Sequence, residues 1–266
     1  MSSCGTTEMP MSKGDKLSKL QCPQIDLERK VMEDKPYASL VGSLMYAQVC
    51  TRPDLAFTIF VLGRFQSNAG KTHWNVAKRV LRYLQRTKDH MLVYRRAESL
   101  VLEGYTDSDF ACCPDDMKST TGYVFLMACG VVSWKSMKQG TVAASTMVAE
   151  YLLVHETVNQ AIWLKNFILG LQVVDSISRP IQIFCDNNAA IFFTKNNKRP
   201  HATRNLDIKY LIAREKVMAV LVRIDYLETG SMIADLLNKA SPTIIFKKHV
   251  TRKIVPKSCM ININGP

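Results

Sequence analysis

The sequence predicts a mixed α/β fold, a sheet with helices packed on it, preceded by a small helical segment. Three observations carry this prediction. After Glu98 the apolar pattern changes from a helical period to short strand-like runs bounded by turn residues. One uninterrupted helical stretch, Ser145 to Leu169, follows the first three of those runs. The remaining segments read strand, helix, helix, strand and helix, which puts helices over a sheet and not sheet over sheet.

The elements follow in order. Residues 1–24 are polar, carry Ser, Lys, Gly and two prolines, and read as a mobile arm. From Ile25 to about Arg96 the pattern is helical. Tyr37 to Gln48 follows Pro36, a residue suited to a first turn. Pro53 and Asp54 open a second helix through Phe65, stopped near Asn68 and Gly70. A third spans His73 to Arg86, with Trp74, Ala77, Leu81 and Leu84 as its buried stripe. On its exposed side Lys78, Arg82 and Arg86 fall at i, i+4 and i+8 with Arg79 beside them, a row of cations spaced to follow a phosphate backbone or to face solvent.

Beyond Glu98, Leu100 to Phe110, Thr121 to Cys129 and Val131 to Lys135 read as three antiparallel strands, with Gly130 at the second hairpin. The long helix ends at Gly170 as a C-cap. Ile181 to Cys185 is a fourth strand after Pro180, and Asn187 to Lys195 a short helix. Asp207 to Met218 is another helix, Val220 to Leu227 the fifth strand and Ser231 to Lys239 a terminal helix. Residues 241–266 form a basic tail, its last ten residues read as disordered.

Composition bounds the function. The 266 residues are 47% hydrophobic and 22% charged, which excludes disordered and collagen-like classes. The longest uncharged runs, Pro36 to Thr51 and Ser119 to Trp134, are too short and too interrupted to span a bilayer. No charged-then-apolar leader pattern opens the chain, so the expected address is cytoplasmic or nuclear, not secreted. Eight cysteines contain no CxxC pair and five histidines show no zinc spacing, so reduced structural thiols are expected. The net charge of +12 is unevenly spread. Residues 1–100 hold 16 Lys+Arg against 9 Asp+Glu, residues 101–240 hold 14 against 14, and residues 241–266 hold 5 against none. Basic flanks suit a polyanion, and the neutral centre has carboxylates of its own.

Four of those carboxylates occupy informative places: Asp107 in the first strand, Glu150 in the first turns of the long helix, Asp186 after the fourth strand and Asp235 in the terminal helix. Sites in open α/β sheets form outside strand ends. Clustered carboxylates are hard oxygen ligands suited to Mg²⁺, and a two-ion site of this kind supports phosphodiester hydrolysis.

The central block resembles the ribonuclease H domain of copia-type retrotransposon Pol polyproteins. The matching strings are Tyr105 to Ala111, Ser119 to Tyr123, Val132 to Ser136, Ala149 to Tyr151, Cys185 to Asn187, Asp207 to Tyr210, Arg214 to Val217 and Ile233 to Asp235. Upstream, Pro36 to Ala47, Thr51 to Ala56 and His73 to Leu84 resemble the end of the family's reverse transcriptase, its thumb and connection region, over residues 25–98. The resemblance implies a ribonuclease H-like five-stranded sheet over residues 99–240. It implies hydrolysis of the RNA strand of RNA–DNA hybrids by Asp107, Glu150, Asp186 and Asp235 with two Mg²⁺ or Mn²⁺ ions. Lys135 and Asn187, within matching strings, join Lys78, Arg79, Arg82 and Arg86 as candidate nucleic-acid contacts. The polymerase Tyr-x-Asp-Asp motif is absent, so no DNA synthesis is expected. An integrase would share the sheet but not the order Asp, Glu, Asp, Asp.

The strings also depart from the family. Val148 replaces the earlier Glu of a Ser-Thr-x-Glu-Ala-Glu pattern, Asn205 stands where His is usual and Asn238 where Thr is usual, and Glu228 and Gly230 alter the loop before Asp235. Met147, Tyr151, Val154, Val158 and Ala161 define the inward stripe of the long helix, and Glu150 falls with them. Position 148 falls on another face with Leu152, His155 and Asn159, where, with Ser145 as N-cap, a Glu would close a capping box. Glu150 is therefore the expected ligand. The alternative reading is a catalytically decayed nucleic-acid-binding remnant.

Overall fold

A computed structural model describes residues 5–94, 100–172, 179–195 and 204–254. Its sheet has five strands: β1 (Glu103–Asp109), β2 (Thr120–Met127), β3 (Gly130–Lys138), β4 (Ile181–Cys185) and β5 (Val222–Tyr226). Their order is β3-β2-β1-β4-β5. The first three form an antiparallel meander, and β4 and β5 add parallel to β1. The sheet is therefore mixed, with helices flanking it, as expected. The runs of β2 to β5 were legible because β-branched and aromatic residues recur in them, and Ile181, Ile183 and Cys185 alternate inward on β4.

One sheet face is covered by α5 (Thr146–Leu171), α6 (Asn188–Lys195) and α7 (Arg204–Met218). Leu102, Phe125, Leu153, Val154, Val158, Ile183 and Ile224 make the core between strands and helices. Burying each such side chain stabilises the fold by about 1.5–3 kcal/mol. Ser145 caps α5 by accepting from the Val148 N–H at 3.3 Å. The opposite face receives a short 3₁₀ turn, Ile233–Leu237, against β1 and β2.

The chain divides into two compact units. The sheet unit holds Tyr94–Cys112 and Lys118–Asn238; the other holds Met1–Val93, Cys113–Met117 and Lys239–Pro266. In the latter, α1 (Asp26–Glu33), α2 (Tyr37–Cys50), α3 (Ala56–Gly63) and α4 (Lys71–Arg86) pack around Val41, Leu44, Ile59, Leu62, Val76 and Val80. A buried ion pair anchors it. Arg52 grips Asp54 with two bonds of 2.9 and 2.8 Å, and the Tyr83 hydroxyl donates to the same carboxylate at 2.7 Å.

Several local expectations are corrected. Residues 5–24 do not stand off as an arm: Met11, Leu17 and Cys22 are buried, and Thr7 donates to the Arg79 carbonyl. The buried stripe of α4 is His73, Val76, Ala77, Val80 and Tyr83, one position away from Trp74, Leu81 and Leu84. His73 is inside because it stacks on Phe65 at 4.0 Å and accepts from the Gly70 N–H. The β2–β3 turn is Ala128–Cys129, both with positive φ (53° and 61°), so Gly130 begins β3. Two central residues with positive φ give the backbone twist that a two-residue hairpin needs. Gly170 lies inside α5, whose left-handed cap is Gln172 (φ 53°). Leu152 and His155 are buried too, whereas Asn159 on the same face of α5 is exposed. The terminal helix is replaced by the 3₁₀ turn. The basic tail opens with α8 (Thr243–His249), and Phe246, His249, Val250 and Ile254 are buried. Residues 255–266, and the side chains of Asn205, Arg252 and Lys253, lie outside the described residues.

Candidate metal centre

β4 ends at Cys185, whose register partner on β1 is Thr106. Beyond that point β1 has no strand neighbour on its β4 side among the described residues, and its next N–H groups need another acceptor. Glu150 supplies one: its Oε1 accepts from the Ser108 N–H at 2.9 Å. Two buried contacts set the height of α5 for this. Thr106 Oγ1 meets Thr157 Oγ1 at 3.1 Å, and Gln139 Nε2 donates to the Ala149 carbonyl at 2.7 Å. A bond from a buried N–H to a carboxylate is among the stronger hydrogen bonds in proteins, about 1.5–3 kcal/mol. Glu150 is only 2% exposed.

Asp186 comes directly after β4, at the carboxyl end of the parallel pair. A ligand atom from each of Glu150, Cys185 and Asp186 lies within 4.8 Å of the other two. The Cys185 thiol reports the field there. Burial pushes it well above the ordinary value of 9.0; the charges of Glu150, Asp186 and Asp107 add to this, and the Asn187 N–H opposes it. Three of the four predicted carboxylates thus act on one buried atom.

Asp107 alternates onto the other side of β1 from Thr106. Its Oδ2 accepts from Asn238 Nδ2 at 2.7 Å, a buried bond. Asp235, 8% exposed, sits in the 3₁₀ turn three residues before Asn238. That turn lies hard against the sheet because Gly122, the register partner of Asp107, has no side chain. A Cβ there would come 2.5 Å from Leu237 Cβ. The fourth carboxylate is therefore held to the strand that carries the first.

Two residues outside the sequence-predicted set complete the frame. Thr229 Oγ1 donates to Asp186 Oδ2 at 3.0 Å, and Asn238 bonds Asp107. Asn238 was visible only as a departure from a family pattern, and Thr229 carried no signal. The altered segment 228–238 thus supplies donors to two of the carboxylates.

The candidate nucleic-acid contacts are placed as follows. Asn187 Oδ1 accepts from the Ala190 N–H at 3.0 Å and so caps α6. Lys135 is exposed on the edge strand, one residue out of phase with Ser136, which pairs through Gly122 to Asp107. It therefore projects from the opposite sheet face. Lys78, Arg79, Arg82 and Arg86 belong to the other unit. There Arg79 pairs with Asp15, and Arg86 pairs with Glu8 at 3.3 Å; Glu8 also meets Lys247 at 2.7 Å. Lys78 is exposed, with Nζ 6.0 Å from the Trp74 ring centre.

Among the described residues no helix is long and apolar enough to cross a membrane. No protein-family model matches the chain. The Retrovirus-related Pol polyprotein from transposon TNT 1-94 of Nicotiana tabacum is 40% identical over 235 residues, covering 88% of this chain and 17% of that protein. The corresponding protein from transposon RE2 of Arabidopsis thaliana is 34% identical over 236 residues, covering 86% and 16%. Secreted RxLR effector protein 161 of Plasmopara viticola is 47% identical over 133 residues, which are 50% of this chain and 94% of that one. Among solved structures, the N-terminal RNase H domain of rv2228c from Mycobacterium tuberculosis covers 57% of the chain and 96% of its own, at 14% identity and a TM-score of 0.37. The chain spans less than a fifth of the two transposon polyproteins that it matches. Over most of its length it belongs with the retrovirus-related Pol polyproteins of transposons.

Proposed function

We propose that residues 100–238 form a metal-dependent nuclease that hydrolyses the RNA strand of RNA–DNA hybrids. The observation that carries this reading is the convergence of Asp107, Glu150 and Asp186 on one strand end, with Asp235 held against the same strand. Carboxylates gathered at one strand end oppose each other's ionisation unless a cation neutralises them, because like charges repel at short range. Burial keeps the Cys185 thiol of this group protonated, so the ionised donors are carboxylate oxygens, which fit Mg²⁺ or Mn²⁺ and not a softer ion. Asp107, Glu150, Asp186 and Asp235 would hold the ions. Bound there, two cations supply Lewis acidity for the attack of water on a phosphodiester and for the departure of the leaving oxygen.

The protein's own contribution is placement. Glu150 is fixed by the Ser108 N–H, Asp186 by Thr229 and Asp107 by Asn238. Held groups cost no reorganisation when the reaction occurs. Choice of RNA over DNA falls to recognition of the 2′-hydroxyl. Residues 25–98 are the counterpart of the segment closing the family's reverse transcriptase, without polymerase chemistry.

The test is cleavage of a labelled RNA–DNA hybrid by the full chain with Mg²⁺, beside Asp186→Asn. Mg²⁺-dependent cutting of the RNA strand, lost in the variant, is expected. A folded wild-type chain that binds hybrid without cutting it would support the alternative, a silent binding remnant.

A further inference from the structure

The segment between β5 and the end of the sheet unit brings three groups to the carboxylates: Thr229 to Asp186, Asp235 itself, and Asn238 to Asp107. We propose that Asn238 and Thr229 are positioning residues that set Asp107 and Asp186 for a divalent cation. This rests on the metal-binding reading of those carboxylates and goes beyond it by naming what orients them.

An ionised carboxylate has two oxygens and only accepts. A protein donor on one oxygen fixes rotation of the group, and with it the direction in which the carboxylate faces a cation. Both Asp107 and Asp186 are held by Oδ2 in this way. The direction of the Asn238 amide follows from the same chemistry, since only its N–H₂ end can face a carboxylate. Its Oδ1 then remains a buried acceptor without a hydrogen-bond partner, a second hard oxygen beside Asp107. Outer hydrogen-bond partners of metal ligands carry measurable affinity, and losing one costs about 10–100-fold. The two donors are unequal. Asn238 is fully buried, whereas the Thr229–Asp186 bond is exposed and competes with water.

A merely structural role for Asn238 makes a different prediction, because lost packing lowers stability without changing affinity for a cation. The experiment is titration of the full chain with Mn²⁺, reading free Mn²⁺ by its spin-resonance signal, with urea midpoints measured alongside. Wild type is expected to bind, and Asp107→Asn to lose most of that binding. Asn238→Ala and Asn238→Leu are expected to weaken Mn²⁺ binding by about 10–100-fold while folded. Asn238→Thr, which keeps a donor, is expected to recover much of the loss, and Thr229→Ala to lose only a few-fold. Folded Ala and Leu variants that bind Mn²⁺ as wild type does would overturn the positioning role and leave the metal reading intact. Equal Mn²⁺ binding by wild type and Asp107→Asn would overturn both. Should both donor-less variants of Asn238 fail to fold, Thr229→Ala against Thr229→Ser reads the claim at Asp186. Weaker binding by Ala alone supports it, and equal binding overturns it.

Discussion

Asn238 places its side-chain amide 2.7 Å from Asp107 Oδ2 across 131 residues of chain, in a site from which solvent is excluded. The bond joins the first strand of the sheet to the last turn of the same unit. It closes the frame around the carboxylates, and Gly122 makes the closure possible. On β2, Gly122 is the residue that lets Leu237 and the turn carrying Asp235 approach Asp107.

Gly122→Ala is therefore expected to be costly out of proportion to one methyl group. The new Cβ would meet Leu237 Cβ at 2.5 Å and its carbonyl carbon at 3.0 Å, so the backbone of the turn must move. Overpacking of this kind costs about 1–3 kcal/mol. Urea unfolding should show that loss, and Mn²⁺ affinity should fall with it as Asp235 and Asn238 shift. Unchanged stability and affinity would mean that the turn is not held where the structure puts it.

Val148→Glu tests which glutamate position matters. Ser145 already accepts from the Val148 N–H at 3.3 Å, so a Glu at 148 would close the capping box by reaching back to the Ser145 N–H. The expected gain is about 0.5–1 kcal/mol in unfolding free energy, with no change in Mn²⁺ affinity. A rise in affinity would move the ligand role from Glu150 towards 148.

The helical unit should lose stability in mild acid. His73 is fully buried against Phe65, and burial lowers its pKa below the ordinary 6.5, with the Ser18 carbonyl and Asp115 opposing. A histidine held neutral in the folded state binds its proton first in the unfolded chain. Its contribution is thus complete above pH 6.5 and is lost as pH falls through the lower, folded value. Urea midpoints should decline from about pH 7 to about pH 5, and less steeply in His73→Gln. His155, lowered mainly by burial in the same sense, leaves a residual slope in that variant.

Duplex binding by α4 should be held back by the protein's own acids. Glu8 pairs with Arg86 and Lys247, and Asp15 pairs with Arg79. In Glu8→Gln/Asp15→Asn those cations are released to a phosphate backbone. Fluorescence anisotropy should then show tighter duplex binding at low salt. The plot of log affinity against log salt should steepen by about 0.9 for each further phosphate that the released cations neutralise. Identical affinity and slope in the double variant would remove α4 from the nucleic-acid surface.

How much of this was legible in the sequence differs from element to element. β4 was readable to the residue, because Pro180 starts it and a short apolar run fills it. The β2–β3 turn was not, because Ala128 and Cys129 carry positive φ without the glycine or asparagine that announces it. On α4 the stripe was displaced by one position. Trp74, Leu81 and Leu84 are the more apolar residues, but the packing surface selected His73, Val80 and Tyr83. Asp107, Glu150 and Asp186 were readable as candidates from their order and their places in strand and helix. Thr229 and Asn238 were not, since a short polar side chain in a loop acquires its role only when the fold brings a carboxylate to it.

Whether Asp107, Glu150, Asp186 and Asp235 together hold divalent cations is tested most directly by anomalous diffraction from crystals of the chain grown with Mn²⁺. Manganese peaks bounded by these four carboxylates are expected, with Asn238 still on Asp107. Manganese absent from that position in ordered crystals, or bound only elsewhere, would contradict the metal centre.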